Sequence, residues 1–313
     1  MIALRPVALL LAACALPPLA ACRPADEHRR PSAKELAERE ALFLSRVAAA
    51  DRQPQRGAPV ARWIMPRELA EISGLAVTDD GRLLAHGDEV GRVFVLDPRH
   101  GQIVKRFSVG NPTVHGDFEG ITMARGSIYL IASNGTLYEL REGADGAHVS
   151  YATFDTKLGK ECEFEGVAYD SASASLLMPC KRVGMKKLRD QLVIFRWKLD
   201  AATPRLSTLT VPLSDVVGSN DWSGFNPSDI TIDPASGNYI FVAAKQKALV
   251  EITPAGAVVR SMRLPGKHPQ PEGIAITRDG LLIVSDEASN SPATITVYRW
   301  QPASGAGTSG TTP

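Results

Sequence analysis

The motifs that most directly announce catalysis are missing from this chain of 313 residues. It has no Gly-x-Ser-x-Gly elbow for a serine nucleophile, no HExxH zinc pair and no phosphate-cradling P-loop. An excess of one charge is missing too. Lys+Arg number 35 and Asp+Glu number 34, so there is no electrostatic footprint for duplex nucleic acid. Four cysteines are too few for a disulfide scaffold and lack zinc-ribbon spacing. Gly at 26 and Pro at 22 imply many turns without disorder throughout. What is present, 44% hydrophobic and 22% charged residues, is ordinary for a core-forming globular protein.

The first residues set a compartment. In MIALRPVALLLAACALPPLAAC, Arg5 precedes an apolar run, and small Ala20 and Ala21 precede Cys22. Residues 1–21 therefore read as a secretory signal. The run is short and contains proline, which disfavours a membrane span. Leu19-Ala20-Ala21-Cys22 resembles the bacterial lipobox, whose cysteine is lipidated; the alternative is ordinary cleavage with Cys22 incidental. Lipidation would hold the protein on a bacterial membrane, facing the periplasm or exterior, where disulfides persist. Residues 22–58 read as a polar tether. Ala33–Ala50 within it is a possible helix carrying Leu36, Leu42, Phe43 and Val47. Residues 302–313, rich in Gly, Ser and Thr, read as a disordered tail.

Residues 59–301 are periodic. Ser73-Gly74-Leu75, Glu119-Gly120-Ile121, Glu165-Gly166-Val167, Ser228-Asp229-Ile230 and Glu272-Gly273-Ile274 each open a β-prone run. Their second positions fall at 74, 120, 166, 229 and 273, a period of about 45 with one longer step, which indicates a β-propeller. The reading is an all-β fold of five blades, each a four-stranded antiparallel sheet. The fifth repeat lacks an outermost strand after Trp300, and Val60–Arg67 supplies one from the other end of the chain. Closing the ring in this way removes two exposed edges.

Propeller connectivity places the long loops 111–118, 159–164, 181–190, 214–227 and 265–271 on one face, where binding residues usually sit. The first residue of each inner strand points to the axial mouth on that face: Ser73, Glu119, Glu165, Ser228 and Glu272, with Asp229 where the other repeats have glycine. Asp88-Glu89 and Asp286-Glu287 join from the next strand. Carboxylates gathered this way repel unless a cation relieves them. Hard oxygen donors select Ca²⁺ or Mg²⁺, and Ca²⁺ tolerates the looser geometry. The expected ligands are Glu119, Glu165, Glu272, Asp229 and Asp88. The alternative is that these acids are solvated or bonded to backbone amides. His86, His115 and His268 map to the same face. Lys181, Arg182, Lys186, Lys187 and Arg189 read as a basic loop. Cys162 and Cys180 reach the same edge of the third blade, as a disulfide or as two buried thiols.

Glu71-Ile72-Ser73-Gly74-Leu75-Ala76, His86-Gly87-Asp88-Glu89-Val90-Gly91-Arg92-Val93, Asp117-Phe118-Glu119-Gly120-Ile121 and Pro271-Glu272-Gly273-Ile274-Ala275 with Ser285-Asp286-Glu287 resemble the SdiA-regulated (YjiK-like) propeller proteins of bacteria, distantly akin to NHL-repeat propellers. The resemblance implies a five-bladed propeller with a calcium site, carried here to Glu119, Glu165 and Glu272 and more weakly to Asp88 and Asp229; it implies no assured activity. Two functions follow as expectations. One is a non-enzymatic, calcium-binding lipoprotein, a monomer presenting its long-loop face to a ligand or protein. The other is a metal-dependent hydrolase of the lactonase, esterase or phosphoesterase kind, which needs a base such as His115 or His268 beside a metal-bound water.

Overall fold

The computed structural model describes residues 31–52, 57–200 and 205–302. The signal segment 1–21, Cys22 and the tail beyond Pro302 lie outside them. Among the described residues, twenty-two strands make five sheets arranged as the blades of a propeller. Blade 1 is Ile72–Val77, Leu83–Gly87, Arg92–Asp97 and Gln102–Val109; blade 2 is Phe118–Ala124, Ser127–Ala132, Thr136–Leu140 and Tyr151–Asp155. Blade 4 is Asp229–Ile232, Tyr239–Ala243, Ala248–Ile252 and Val258–Arg263. Blade 5 takes Pro271–Ile276, Leu281–Asp286 and Thr294–Arg299, then closes with Ala61–Ile64 as its outer strand, antiparallel to Thr294–Arg299 with Ala61 opposite Val297. The ring is thus fastened by backbone hydrogen bonds between residues more than 200 apart in sequence.

Repetition in sequence is repeated in turn chemistry. In blades 1 and 5, the hydroxyls of Thr78 and Thr277 accept hydrogen bonds from the backbone N–H groups of Arg82 and Leu281, both at 2.9 Å. In blades 3 and 4, Asp170 and Asp233 accept from the N–H of Ala172 and Ala235, at 3.0 and 3.1 Å. Such side-chain caps fix hairpin geometry locally. The core is divided accordingly into five apolar clusters, one at each seam between neighbouring blades. The inner strands are therefore covered on both faces while the outermost stay partly exposed, and truncating a fully buried residue such as Phe118 to alanine should cost about 3–5 kcal/mol.

Three features depart from the repeat. His148 and Val149, just ahead of the outer strand of blade 2, pair parallel with Ser108 and Val109 of blade 1, tying two blades together. In blade 3 the inner strand is broken into Cys162–Phe164 and Ala168–Asp170; Gly166 turns between them with φ +86°. Its second strand is the longest of the blade, Ser175–Val183, followed by Gln191–Lys198 and Leu206–Pro212.

The helix expected in the tether is present as α1, Ala33–Arg52. Ser32 and Glu35 cap it reciprocally: the Ser32 N–H donates to Glu35 Oε2 at 2.7 Å and the Glu35 N–H to Ser32 Oγ at 3.3 Å. α1 is docked on the propeller. Phe43 is buried in the seam between blades 5 and 1, with Val47 and Ala50 beside it at helical spacing, whereas Leu42 faces outward, 53% exposed. Glu40 pairs with Arg99 of blade 1 and Asp51 with Arg299 of blade 5. Both partners lie at the short-turn end of the propeller. No helix among the described residues is long and apolar enough to cross a membrane.

Candidate functional site

The five inner strands meet at two levels. At the lower level, the glycine positions pack backbone against backbone. A Cβ added to Gly120 would lie 2.5 Å from the Cα of Gly166, and one added to Gly166 would lie 2.6 Å from Asp229 Oδ1. Any side chain there would force the strands apart. Asp229 occupies the equivalent place in blade 4 and is fully buried. Its Oδ1 accepts the N–H of Ile230 at 2.8 Å, and its Oδ2 accepts that of Ile274 in blade 5 at 2.9 Å. Burial pushes this carboxyl well above its ordinary range, against the pull of the amides of Ile274, Ile230 and Leu75. Its donors therefore come from blades 4, 5 and 1. His86 shares this level: it is opposite Gly74, 1% exposed, with Nδ1 2.9 Å from the Gly87 carbonyl and Nε2 without a partner.

One residue higher the axis opens into a cavity of about 200 Å³ lined by Glu71, Ile72, Ser73, Asp88, Glu119, Glu165, Lys181, Gln270, Glu272 and Glu287. Four of the five expected ligands, Glu119, Glu165, Glu272 and Asp88, come together here. Asp229 does not join them, because in place of glycine its side chain turns into the dry level below and is taken up by backbone amides. The donor set also includes Glu71, Gln270 and Glu287. Glu71 lies just before the inner strand of blade 1, where the repeat pattern carries no signal for it.

Six carboxyl groups thus face one ammonium, that of Lys181. Lys181 Nζ is 2.6 Å from Glu165 Oε1, whose side chain is 5% exposed. Burial works against the lysine charge, but Glu165, Glu272 and Glu119 hold its pKa above the usual value. Burial, followed by repulsion from Glu165 and Asp117, raises Glu119. Burial also raises Glu165, with Lys181 opposing, and raises Glu272 and Glu287. Ser73 donates to Glu119 at 3.4 Å, and Gln270 donates to Glu287. Among the described residues, no three His, Cys, Asp or Glu side chains already stand close enough to hold one metal ion. The donor chemistry suits a hard cation; the side chains are not preset around one.

The two candidate bases are elsewhere. His115 is exposed in the 111–118 loop, bridged through its backbone to Val90. His268 is 3% exposed, with Nδ1 2.7 Å from Asp286 Oδ2 and Nε2 2.8 Å from the Tyr298 hydroxyl. Asp286 is thereby withdrawn from the mouth. Burial raises the Tyr298 hydroxyl to about 12. Of the basic loop, Lys181 alone reaches the cavity, since the strand extends through it; Arg182 turns outward to Glu163. Cys162 and Cys180 form a disulfide with Cα atoms 5.5 Å apart, joining the two strands that lead to Glu165 and Lys181.

Among solved structures, the chain is similar to the PQQ-bound aldose sugar dehydrogenase of Streptomyces coelicolor (12% identity, 77% of this chain and 99% of that one, TM-score 0.48). It is also similar to the glutaminyl cyclase of Myxococcus xanthus (13%, 77% and 94%, TM-score 0.47) and a virginiamycin B lyase of Staphylococcus aureus (16%, 76% and 72%, TM-score 0.40). Likeness this remote says nothing of chemistry. A comparison with curated proteins gives no match. Residues 222–304, which span blades 4 and 5, match the family model described as SdiA-regulated, so the resemblance carried by the repeats meets a family match on a five-bladed β-propeller.

Proposed function

We propose that this protein is a non-enzymatic scaffold of the bacterial cell envelope, held to the membrane by a lipid on Cys22, which takes up Ca²⁺ at its axial mouth and presents the long-loop face to a ligand or protein. The supporting observation is the imbalance of six carboxyl groups against one ammonium around a single cavity. Glu119, Glu165 and Glu272, from three different blades, would hold the ion, which would offset their repulsion and draw those blades together. The docking of α1 at the opposite end supports a mouth that points away from the anchored segment.

The hydrolase alternative gains no comparable support. Neither histidine expected as its base stands beside the ion: His115 is off the cavity and His268 is engaged by Asp286 and Tyr298. The test is thermal melting of chelator-stripped protein as Ca²⁺ is added. The wild type should melt several degrees higher with saturating ion, and Glu119→Gln combined with Glu165→Gln should remove the shift. A wild type indifferent to Ca²⁺ rejects the site.

A further inference from the structure

Lys181 stands where the fold offers no reason for a base. In each of four blades, one residue of the second strand pairs with the inner-strand residue just before Ser73, Glu119, Glu165 or Glu272: Gly87 with Ile72, Ala132 with Phe118, Cys180 with Phe164 and Asp286 with Pro271. The next residue along is Asp88, Ser133, Lys181 or Glu287. Asp88, Lys181 and Glu287 all line the mouth, so blade 3 supplies a positive charge at the position where blades 1 and 5 supply negative ones.

The root of this side chain is fixed. Cys180 is bonded to Cys162, and the Lys181 carbonyl accepts the Asn226 amide at 3.1 Å, itself held by Gln246 Nε2 donating to Asn226 Oδ1 at 3.1 Å. The head is not comparably fixed. It hangs on a four-carbon stem, 30% exposed, with its one close carboxylate at Glu165. A compact ammonium on a flexible stem can leave one carboxylate for another or for water at modest cost.

From this geometry we infer that Lys181 is a tethered cation that competes with an external ion for the mouth and so sets how tightly that ion is held. The inference rests on the reading of the mouth as a calcium site and adds the residue that tunes it. A group attached by a short flexible stem acts at an effective concentration in the millimolar range. An incoming Ca²⁺ must therefore displace the ammonium from Glu165 or share the cavity with it, and both weaken binding. The same contact stabilises the mouth when no ion is present, because Glu165 is buried and otherwise lacks a cationic partner.

Two measurements test this. The first is the Ca²⁺ dissociation constant, by calorimetry on chelator-stripped full-length protein, for the wild type, Lys181→Met and the outward-facing control Arg182→Met. Lys181→Met should bind at least about tenfold more tightly, and Arg182→Met should match the wild type. The second requires no variant. Amine-reactive labelling of the wild type, read at the Lys181 peptide by mass spectrometry, should become several-fold faster with Ca²⁺ as the ammonium is released. Wild-type binding with an unchanged constant in Lys181→Met overturns the inference and leaves the calcium site standing, as does labelling that slows or stays constant upon ion uptake. Absence of uptake by both the wild type and Lys181→Met removes the calcium reading, and this inference with it. Uptake by Lys181→Met alone supports both.

Discussion

Asp229 and Glu165 stand one level apart on the same axis, both carboxyl groups and both buried, at 0% and 4% exposure. Their circumstances are otherwise opposite. The partners of Asp229 are backbone amides, fixed in direction by the strands that carry them, so the carboxyl acts as a staple across blades 4, 5 and 1. The partner of Glu165 is the end of a long, unbranched side chain, and of its carboxyl neighbours Glu272 repels it while Glu119 hydrogen-bonds to it. Burial therefore does not distinguish a structural acid from a binding one. The distinction is whether the counter-groups belong to the scaffold or can be exchanged for something from solution.

The largest effect should come from the fixed level. Asp229→Asn keeps the shape but turns one amide N–H₂ against backbone N–H donors. Loss of one acceptor oxygen and an unsatisfied buried donor together should cost about 3 kcal/mol. Chemical denaturation measures it, and a loss below about 1 kcal/mol would erase the contrast between the two levels.

A smaller effect of definite sign should come from His86. Burial lowers its pKa from 6.5 to about 4, partly opposed by the Gly87 carbonyl. Between those values the unfolded chain takes up a proton that the folded one refuses. Its contribution is thus intact above pH 6.5 and is lost as the pH falls towards 4, by about 2 kcal/mol between pH 6.5 and 5. His86→Gln should flatten this part of the acid limb of a stability profile; an unchanged slope would place the acid sensitivity elsewhere.

The smallest effect should come from the mouth. In chelator, Glu119→Gln removes one buried carboxyl that Glu165 and Asp117 repel, so it should raise stability by about 1 kcal/mol. The opposite signs for Asp229→Asn and Glu119→Gln are the sharpest form of the comparison. Destabilisation by both would mean that the mouth is as fully satisfied as the staple.

Much of this architecture is legible in the chain. The five repeat openings each lead into an inner strand of a blade, and Val60–Arg67 contains the closing strand, narrowed to Ala61–Ile64. Glu119, Glu165 and Glu272 reach one cavity because they share a repeat position. What sequence does not convey is direction and distant partnership. Asp229 differs from the other acids by a single step along the strand, and that step turns it away from the mouth. The ordered place of His268 depends on Asp286 and Tyr298, 18 and 30 residues away. Lys181 looks like loop because it sits among basic residues after a cysteine, yet strand pairing carries it into the mouth.

The central claim is that the mouth is deficient in positive charge and is completed by an ion. Calorimetric titration of chelator-stripped wild-type protein with Ca²⁺, beside Glu119→Gln combined with Glu165→Gln, tests it most directly. The account predicts uptake of one ion per chain by the wild type and none by the double variant. No uptake by the wild type, or the same uptake by both, would contradict it.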